Sequence, residues 1–251
     1  MKAIGVIPSR WGSSRFPGKS LHPICGKSLV QWVYEAVVKS KLLDEVAVAT
    51  DDERIAAAVR SFGGNAVMTK PDHPSGTDRV AEAAKPGDDD IVVNIQGDEP
   101  LIDPDLIDSL VKTMLSDPSW DMATAATPIK NISDLEAKSV VKVVKGKDSR
   151  AIYFSRLPIP CNRDSELDVS SGLYLRHLGI YAYRGAFLKK LVSEKPCALE
   201  LTEKLEQLRA LWMGAKMAVV ETSDEGVGVD TPEDADRIEK ILAGRIAKGG
   251  L

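Results

Sequence analysis

Arg10, Arg15 and Lys19 stand close together among glycines and serines, in Pro8-Ser9-Arg10-Trp11-Gly12-Ser13-Ser14-Arg15-Phe16-Pro17-Gly18-Lys19. Glycine and serine let backbone N–H groups approach an anion, and nearby cations neutralise it, so this composition suits a bound polyphosphate. The competing reading is a surface loop with solvated charges. Position argues against it, because the stretch follows the apolar run Ile4-Gly5-Val6-Ile7, and ligands of α/β chains bind where strands end. Asp98 and Asp230 are the second chemical element. Asp98 follows the apolar residues 91–95 within Gln96-Gly97-Asp98-Glu99-Pro100, and Asp230 precedes Thr231-Pro232-Glu233-Asp234, a helix start with an N-cap and a first-position proline. Mg²⁺ is typically held by one or two carboxylates together with substrate phosphates. Each acid also has a plainer role, in shaping a turn or in preceding a helix.

Two familiar phosphate motifs are tested first. A Gly-x-Gly-x-x-Gly fingerprint is absent, and Walker A is only approached. Gly18-Lys19-Ser20 and Gly26-Lys27-Ser28 end like a P-loop, but Ser13 and Leu21 hold the places of its first glycine. A P-loop kinase is therefore the weaker alternative, and a non-catalytic nucleotide sensor is a reading of a different kind.

With 251 residues, 43% of them hydrophobic, the chain can bury a full core as one domain, 1–251, with a smaller annex. A net charge of −4 gives no general attraction to nucleic acid. Met1-Lys2-Ala3-Ile4 runs straight into a strand, without a signal-peptide core, and no apolar run is long enough to cross a membrane, so a cytoplasmic protein without membrane insertion is expected. Cys25, Cys161 and Cys197 are widely separated, which indicates neither a disulfide framework nor a zinc site. His22, His73 and His177 are isolated, with a structural role as the default for each.

The elements that must position these residues alternate in type. Strands are expected at 4–7, 46–50, 66–68 and 91–95. Helices are expected from about Ser28 to Lys41, from 55 to 62 and from 80 to 85, the last with Ser75 or Thr77 as an N-cap or as a ligand contact. The order β-α-β-α-β implies a parallel sheet with helices on its faces. Further on, 104–116 is helical, 122–128 and 140–144 are strands, and 131–138 is a helix between them. Residues 152–156 and 174–183 bracket an irregular segment rich in Pro, Asp and Ser, which suggests an antiparallel annex roughly within 151–185 whose apolar residues serve a dimer contact. A single helix is expected over 200–213, with Leu201, Leu205, Leu208 and Trp212 at core spacing. A strand at 217–220 and a closing helix to about Ala247 complete the pattern.

With the cationic loop and the two acids, Ser75-Gly76-Thr77-Asp78-Arg79, Asn94-Ile95-Gln96-Gly97-Asp98-Glu99-Pro100, Tyr153-Phe154-Ser155-Arg156, Arg176-His177-Leu178-Gly179-Ile180-Tyr181, Leu205-Glu206-Gln207-Leu208-Arg209 and Gly228-Val229-Asp230-Thr231-Pro232-Glu233-Asp234 give a chain that resembles the 3-deoxy-manno-octulosonate (Kdo) cytidylyltransferases over essentially its whole length. The resemblance implies a Rossmann-like nucleotidyltransferase fold, with a mostly parallel central sheet, helices on both faces and a small antiparallel annex. It also implies the reaction of CTP with Kdo to CMP-Kdo and pyrophosphate for lipopolysaccharide precursor synthesis, and a homodimer. By the same resemblance Arg10, Lys19, Asp98 and Asp230 are catalytic, and Asp98 and Asp230 ligate Mg²⁺. Pro8, Arg10, Arg15, Lys19, Ser75, Gly76, Arg79 and Gln96 bind the nucleotide, and Arg163, His177, Tyr181, Glu206 and Gln207 the sugar acid. Ser20 and Ser28 replace prolines common in that family, and Cys161 stands where an aromatic residue is expected. An amino-substituted Kdo or a sialic-type acid is the alternative substrate.

Overall fold

The computed structural model describes residues 1–12 and 16–247. Its elements begin with β1 (Ala3–Pro8), β2 (Pro23–Ile24), β3 (Lys27–Ser28), α1 (Leu29–Val37), β4 (Glu45–Thr50), α2 (Glu53–Ser61), β5 (Ala66–Met68), α3 (Gly76–Ala84), β6 (Ile91–Asn94) and α4 (Pro104–Ser116). They continue with β7 (Met122–Pro128), α5 (Ile132–Glu136), β8 (Lys142–Lys145), β9 (Ala151–Ser155), β10 (Leu175–Arg184), α6 (Gly185–Ser193), α7 (Ala198–Glu203), α8 (Gln207–Trp212), β11 (Met217–Glu221) and α9 (Pro232–Ala247). This is the α/β class that the order of elements predicts, with a mostly parallel central sheet. No helix among the described residues is long and apolar enough to cross a membrane.

Contacts gather the chain into two compact units. The first comprises Ala3–Lys85, Asn94–Ile107 and the chain from Gly226. In it β1 lies parallel to β4, with Ile4 opposite Glu45 and Pro8 opposite Ala49, and β4 lies parallel to β5. Ile4, Val6 and Ile7 are all buried, as a run without polar alternation requires of a strand covered on both faces. Ser28 caps α1, its hydroxyl accepting the Gln31 N–H at 3.4 Å. The helix stops at Val37 rather than near Lys41, because the backbone tightens there into bonds from Lys39 N–H to Ala36 O and Ser40 N–H to Val37 O. Neither Gly-Lys-Ser run is a P-loop. Gly18, at φ 70°, leads into a single helical turn, Lys19–Leu21, and Gly26-Lys27-Ser28 belongs to the antiparallel corner between β2 and β3. On the far side of the sequence, α9 buries Ala235, Ile238 and Leu242 in one apolar cluster with Ile24, Leu29, Trp32 and Val229. That cluster fixes the backbone on which Asp230 stands.

The second unit comprises Met1–Lys2, Pro86–Val93 and Asp108–Glu225. Here β11 runs parallel to β7, and β10 runs antiparallel to both β7 and β8. β8 is in turn antiparallel to β9. The β7–β10 register slips between Leu178 and Tyr181, a bulge of the kind that redirects side chains. The sequence pattern does not predict α6, whose Phe187, Leu188 and Leu191 form only a short apolar repeat.

The single helix expected over 200–213 is instead two. Lys204 takes the left-handed conformation, φ 55°, and ends α7. The break rotates the two segments relative to the expected stripe, so Leu205 and Leu208 are buried while Leu201 and Trp212 are exposed. Glu203 secures the corner: its carboxylate accepts from the Ser155 hydroxyl at 2.8 Å and the Arg156 N–H at 3.0 Å. The Arg156 guanidinium returns to the carbonyls of Glu203 and Lys204. Glu206 and Gln207 follow directly at the start of α8.

Candidate active site

Five chain segments of the first unit converge on one cavity of about 410 Å³. Pro8 and Arg10 come from the end of β1, and Lys19 comes from the single turn that follows. Ser75, Gly76 and Arg79 come from the start of α3. Gln96 and Asp98 follow β6, and Asp230 precedes α9. Arg15, the remaining residue expected there, lies outside the described residues.

Electrostatically the cavity is organised around Lys19. Its Nζ donates to Asp98 Oδ2 at 2.6 Å, to the Val229 carbonyl at 3.0 Å and to Asp230 Oδ1 at 3.4 Å. The backbone brings the acids together as well, since the Val229 N–H donates to the Asp98 carbonyl at 2.8 Å. Asp234, in the first turn of α9, accepts the N–H groups of Asp230 and Thr231, each at 3.1 Å, and so sets the backbone that carries Asp230.

Ser75 is both an N-cap and a cavity residue. Its hydroxyl accepts the N–H groups of Thr77 and Asp78 at 3.1 and 3.3 Å and donates to Asp78 Oδ2 at 2.7 Å. Arg79 is 4% exposed. It is held from behind by the Thr69 hydroxyl, 2.5 Å from Nη1, and by Asp51 Oδ2, 3.4 Å from Nη2.

His73 also lines the cavity, although the sequence gives it no role beyond a structural default. Its Nε2 pairs with the Glu82 carboxylate, which also accepts the Lys70 N–H at 3.0 Å. These contacts, the His73 hydrogen bond first, hold Glu82 below its ordinary pKa. The missed signal is proximity, two positions ahead of Ser75. Ser9 and Ser20 are further additions, buried and joined hydroxyl to hydroxyl at 2.7 Å.

The residues assigned to the sugar acid belong to the second unit. His177 and Tyr181 meet with ring centroids 5.4 Å apart, and Phe154 packs edge-on against His177 at 4.9 Å. Burial, with Tyr183 and then Glu206 adding to it, keeps the Tyr181 phenol well above its ordinary pKa. Gln207 is buried beside Glu206 at the start of α8. Arg163 stands apart on the loop after β9, its side chain 92% exposed and paired with Asp164 at 3.4 Å.

Burial pushes the His177 imidazole down to about 3 from an ordinary 6.5. The folded chain therefore holds it neutral where the unfolded chain takes up a proton. Stability should fall as pH drops below about 6.5, by up to about 1.4 kcal/mol per unit for this group, and the loss should continue toward pH 3. Urea unfolding at pH 7 and pH 5 checks this, since His177→Gln should lose less stability over that interval than the unmodified protein.

Strand-end loops thus gather cations and two carboxylates around one cavity on an α/β fold, an arrangement suited to a polyphosphate, and comparison with known proteins gives its class as a nucleotidyltransferase. The family model described as Cytidylyltransferase matches residues 4–218. A 3-deoxy-manno-octulosonate cytidylyltransferase of Geobacter metallireducens is 48% identical over 250 residues, covering 97% of this chain and 98% of the relative. One from Bdellovibrio bacteriovorus is 49% identical over 244 residues, with 97% and 98% covered. A solved CMP:2-keto-3-deoxy-manno-octonic acid synthetase complexed with CTP superposes with a TM-score of 0.92 at 42% identity, covering 98% of this chain and 100% of that one. The chain belongs to the 3-deoxy-manno-octulosonate cytidylyltransferase family.

Proposed function

We propose that this enzyme transfers the cytidylyl group of CTP to Kdo, giving CMP-Kdo and pyrophosphate. The observation that carries the reading is the meeting of Lys19 with Asp98 and Asp230 in the cavity that Arg10, Ser75 and Gly76 also line, in a chain of this family. In the reaction the anomeric hydroxyl oxygen of Kdo bonds to the α-phosphorus, and the bond from that phosphorus to the bridging oxygen of the β-phosphate breaks. Pyrophosphate departs with the electron pair, and the hydroxyl proton is released. Arg10 and Lys19 stabilise the charge that accumulates on the departing phosphates. Arg79, fixed from behind by Thr69 and Asp51, presents rigid donors to the nucleotide.

The acids fit Mg²⁺. Their Oδ atoms already meet around one ammonium nitrogen, and hard carboxylate oxygens supplemented by phosphates are the donor set that ion takes. No cluster of three or more His, Cys, Asp or Glu side chains gathers as a metal centre among the described residues. When bound, the ion would supply electrostatic neutralisation of the phosphates and help orient the nucleophile.

His177, Tyr181, Glu206 and Gln207 would take the sugar acid, and Arg163 would reach it from its exposed loop. Ile152, Leu157 and Leu173, all well exposed, would give the annex a self-association surface for a homodimer. The deciding experiment measures pyrophosphate release from CTP, UTP and ATP against a panel of sugar acids, with Mg²⁺ present or chelated. Release is expected with CTP and Kdo together and to be lost on chelation. Release with a sialic acid but not Kdo, formation of a nucleoside diphosphate, or nucleotide binding without turnover would each overturn the reading.

A further inference from the structure

Thr124 lies in the middle of β7 and is wholly buried. Its Oγ1 is 3.0 Å from His177 Nε2, 2.8 Å from the Ile180 carbonyl and 3.3 Å from the Leu178 carbonyl. The bulge in β10 makes this possible. Ala125 pairs with Leu178 but Thr124 with Tyr181, so Gly179 and Ile180 are extra to the register. Both neighbouring carbonyls thereby turn onto a single hydroxyl. The same slip accounts for the His177–Tyr181 ring contact at 5.4 Å, since residues four apart in a regular strand are separated by about 13 Å.

The hydrogen count then fixes the histidine. A hydroxyl has one proton and carbonyls only accept; the Ile180 carbonyl oxygen lies 2.8 Å from Oγ1, a separation that two oxygens reach with a proton between them, so the Thr124 proton is committed there. With that proton spent, the hydroxyl oxygen offers only lone pairs toward His177 Nε2, which must then donate to it. His177 is therefore the Nε2–H tautomer, and its Nδ1 carries a lone pair. No hydrogen-bond partner holds Nδ1 among the described residues.

We propose that Thr124 is a positioning residue for the sugar acid: it holds His177 as the Nε2–H tautomer, so that Nδ1 accepts a hydrogen bond from a sugar hydroxyl. The assignment rests on the reading that Kdo is the acceptor and that His177 contacts it. Its consequence is a division of labour, in which His177 selects for a hydroxyl donor and the carboxylate of the sugar acid falls to other groups. Thr124→Val keeps the shape and removes the hydroxyl, whereas Thr124→Ser restores it.

The test uses the full chain with ¹⁵N-labelled histidine and steady-state kinetics. Unliganded protein and Thr124→Ser should show the Nε2–H pattern of ring shifts for His177, and saturating Kdo should move the Nδ1 resonance toward a hydrogen-bonded value. Thr124→Val should lose the uniform tautomer and raise KM for Kdo about tenfold, the scale of one hydrogen bond, with KM for CTP unchanged and Thr124→Ser near the unmodified enzyme. An Nδ1–H tautomer in the unliganded protein overturns the proposal. So does an Nδ1 resonance indifferent to Kdo in an enzyme that turns Kdo over, or an unchanged KM for Kdo in folded Thr124→Val. Should Thr124→Val fail to fold, the tautomer and the Kdo titration of the unmodified protein decide alone. Absence of turnover with CTP and Kdo overturns the substrate reading and with it the sugar contact, a result separable from the tautomer, which is read without ligand.

Discussion

Lys19→Met should reduce kcat/KM for CTP and the sugar acid by about 10²–10³-fold, the range for removing a positioned charge or donor from a developing anion. Methionine keeps most of the side chain's length and apolar bulk, so the substitution chiefly deletes the ammonium group. In the structure that group lies 2.6 Å from Asp98 and 3.4 Å from Asp230, and without it the two acids face one another with no cation supplied from the Lys19 turn. The loss should therefore have two components, weaker hold on the triphosphate and misplacement of the acids. Pyrophosphate release under single-turnover conditions separates ground-state hold from the rest: a fall in the rate at saturating CTP reports lost transition-state stabilisation, by the ammonium group itself and by the acids it places. Turnover equal to that of the unmodified enzyme would remove Lys19 from the phosphate grip.

Gly97→Ala should cost about 10²-fold in kcat/KM, the scale expected when a reacting constellation is displaced by about 1 Å. A methyl group at position 97 would stand 2.7 Å from the Pro8 carbonyl oxygen and 3.5 Å from Ile7 Cγ2. The first obstacle is backbone and cannot rotate aside, so the ends of β1 and β6 must part. Those are the segments that carry Pro8 and Arg10 on one side and Gln96 and Asp98 on the other. Activity together with urea unfolding checks this. A variant that folds, about 1–3 kcal/mol less stable because of the forced separation, but retains little turnover is the expected result, whereas full activity would mean that the two segments separate without consequence.

The residues that line the cavity were legible because they sit in short contiguous runs at strand ends. Arg10, Lys19, Ser75, Arg79, Gln96 and Asp98 each lie where an apolar run stops or a helix begins, and parallel topology collects such positions along one edge of a sheet. Asp230 was harder, because spacing cannot show that residue 230 returns to residue 19. The apolar cluster linking α9 to α1 and β2 brings it back. The residues of the second unit were less legible for a different reason. The bulge at Gly179-Ile180 is marked in the sequence only by one glycine inside a strand pattern, and the left-handed Lys204 is marked by neither glycine nor proline. Periodicity therefore read 200–213 as one helix and placed Trp212 in the core, where it is 65% exposed. Thr124 escaped notice entirely, since a threonine in a strand of small apolar residues has no local mark of its dealings with a histidine on the neighbouring strand.

The ion pair between Lys19 and Asp230 closes a separation of 211 residues, and this bears on how the enzyme comes into being. During translation Lys19 and then Asp98 leave the ribosome with strands that pair among themselves, while the second acid and the helix that secures it are still to be made. A nascent chain at that stage has the strand ends of its nucleotide cavity but lacks one of the two carboxylates. Contacts across so long a separation slow folding, because loop-closure entropy is lost before they form. The complete pair of acids is therefore present only once the chain through Asp230 has been made, and no ligand can draw on both before then.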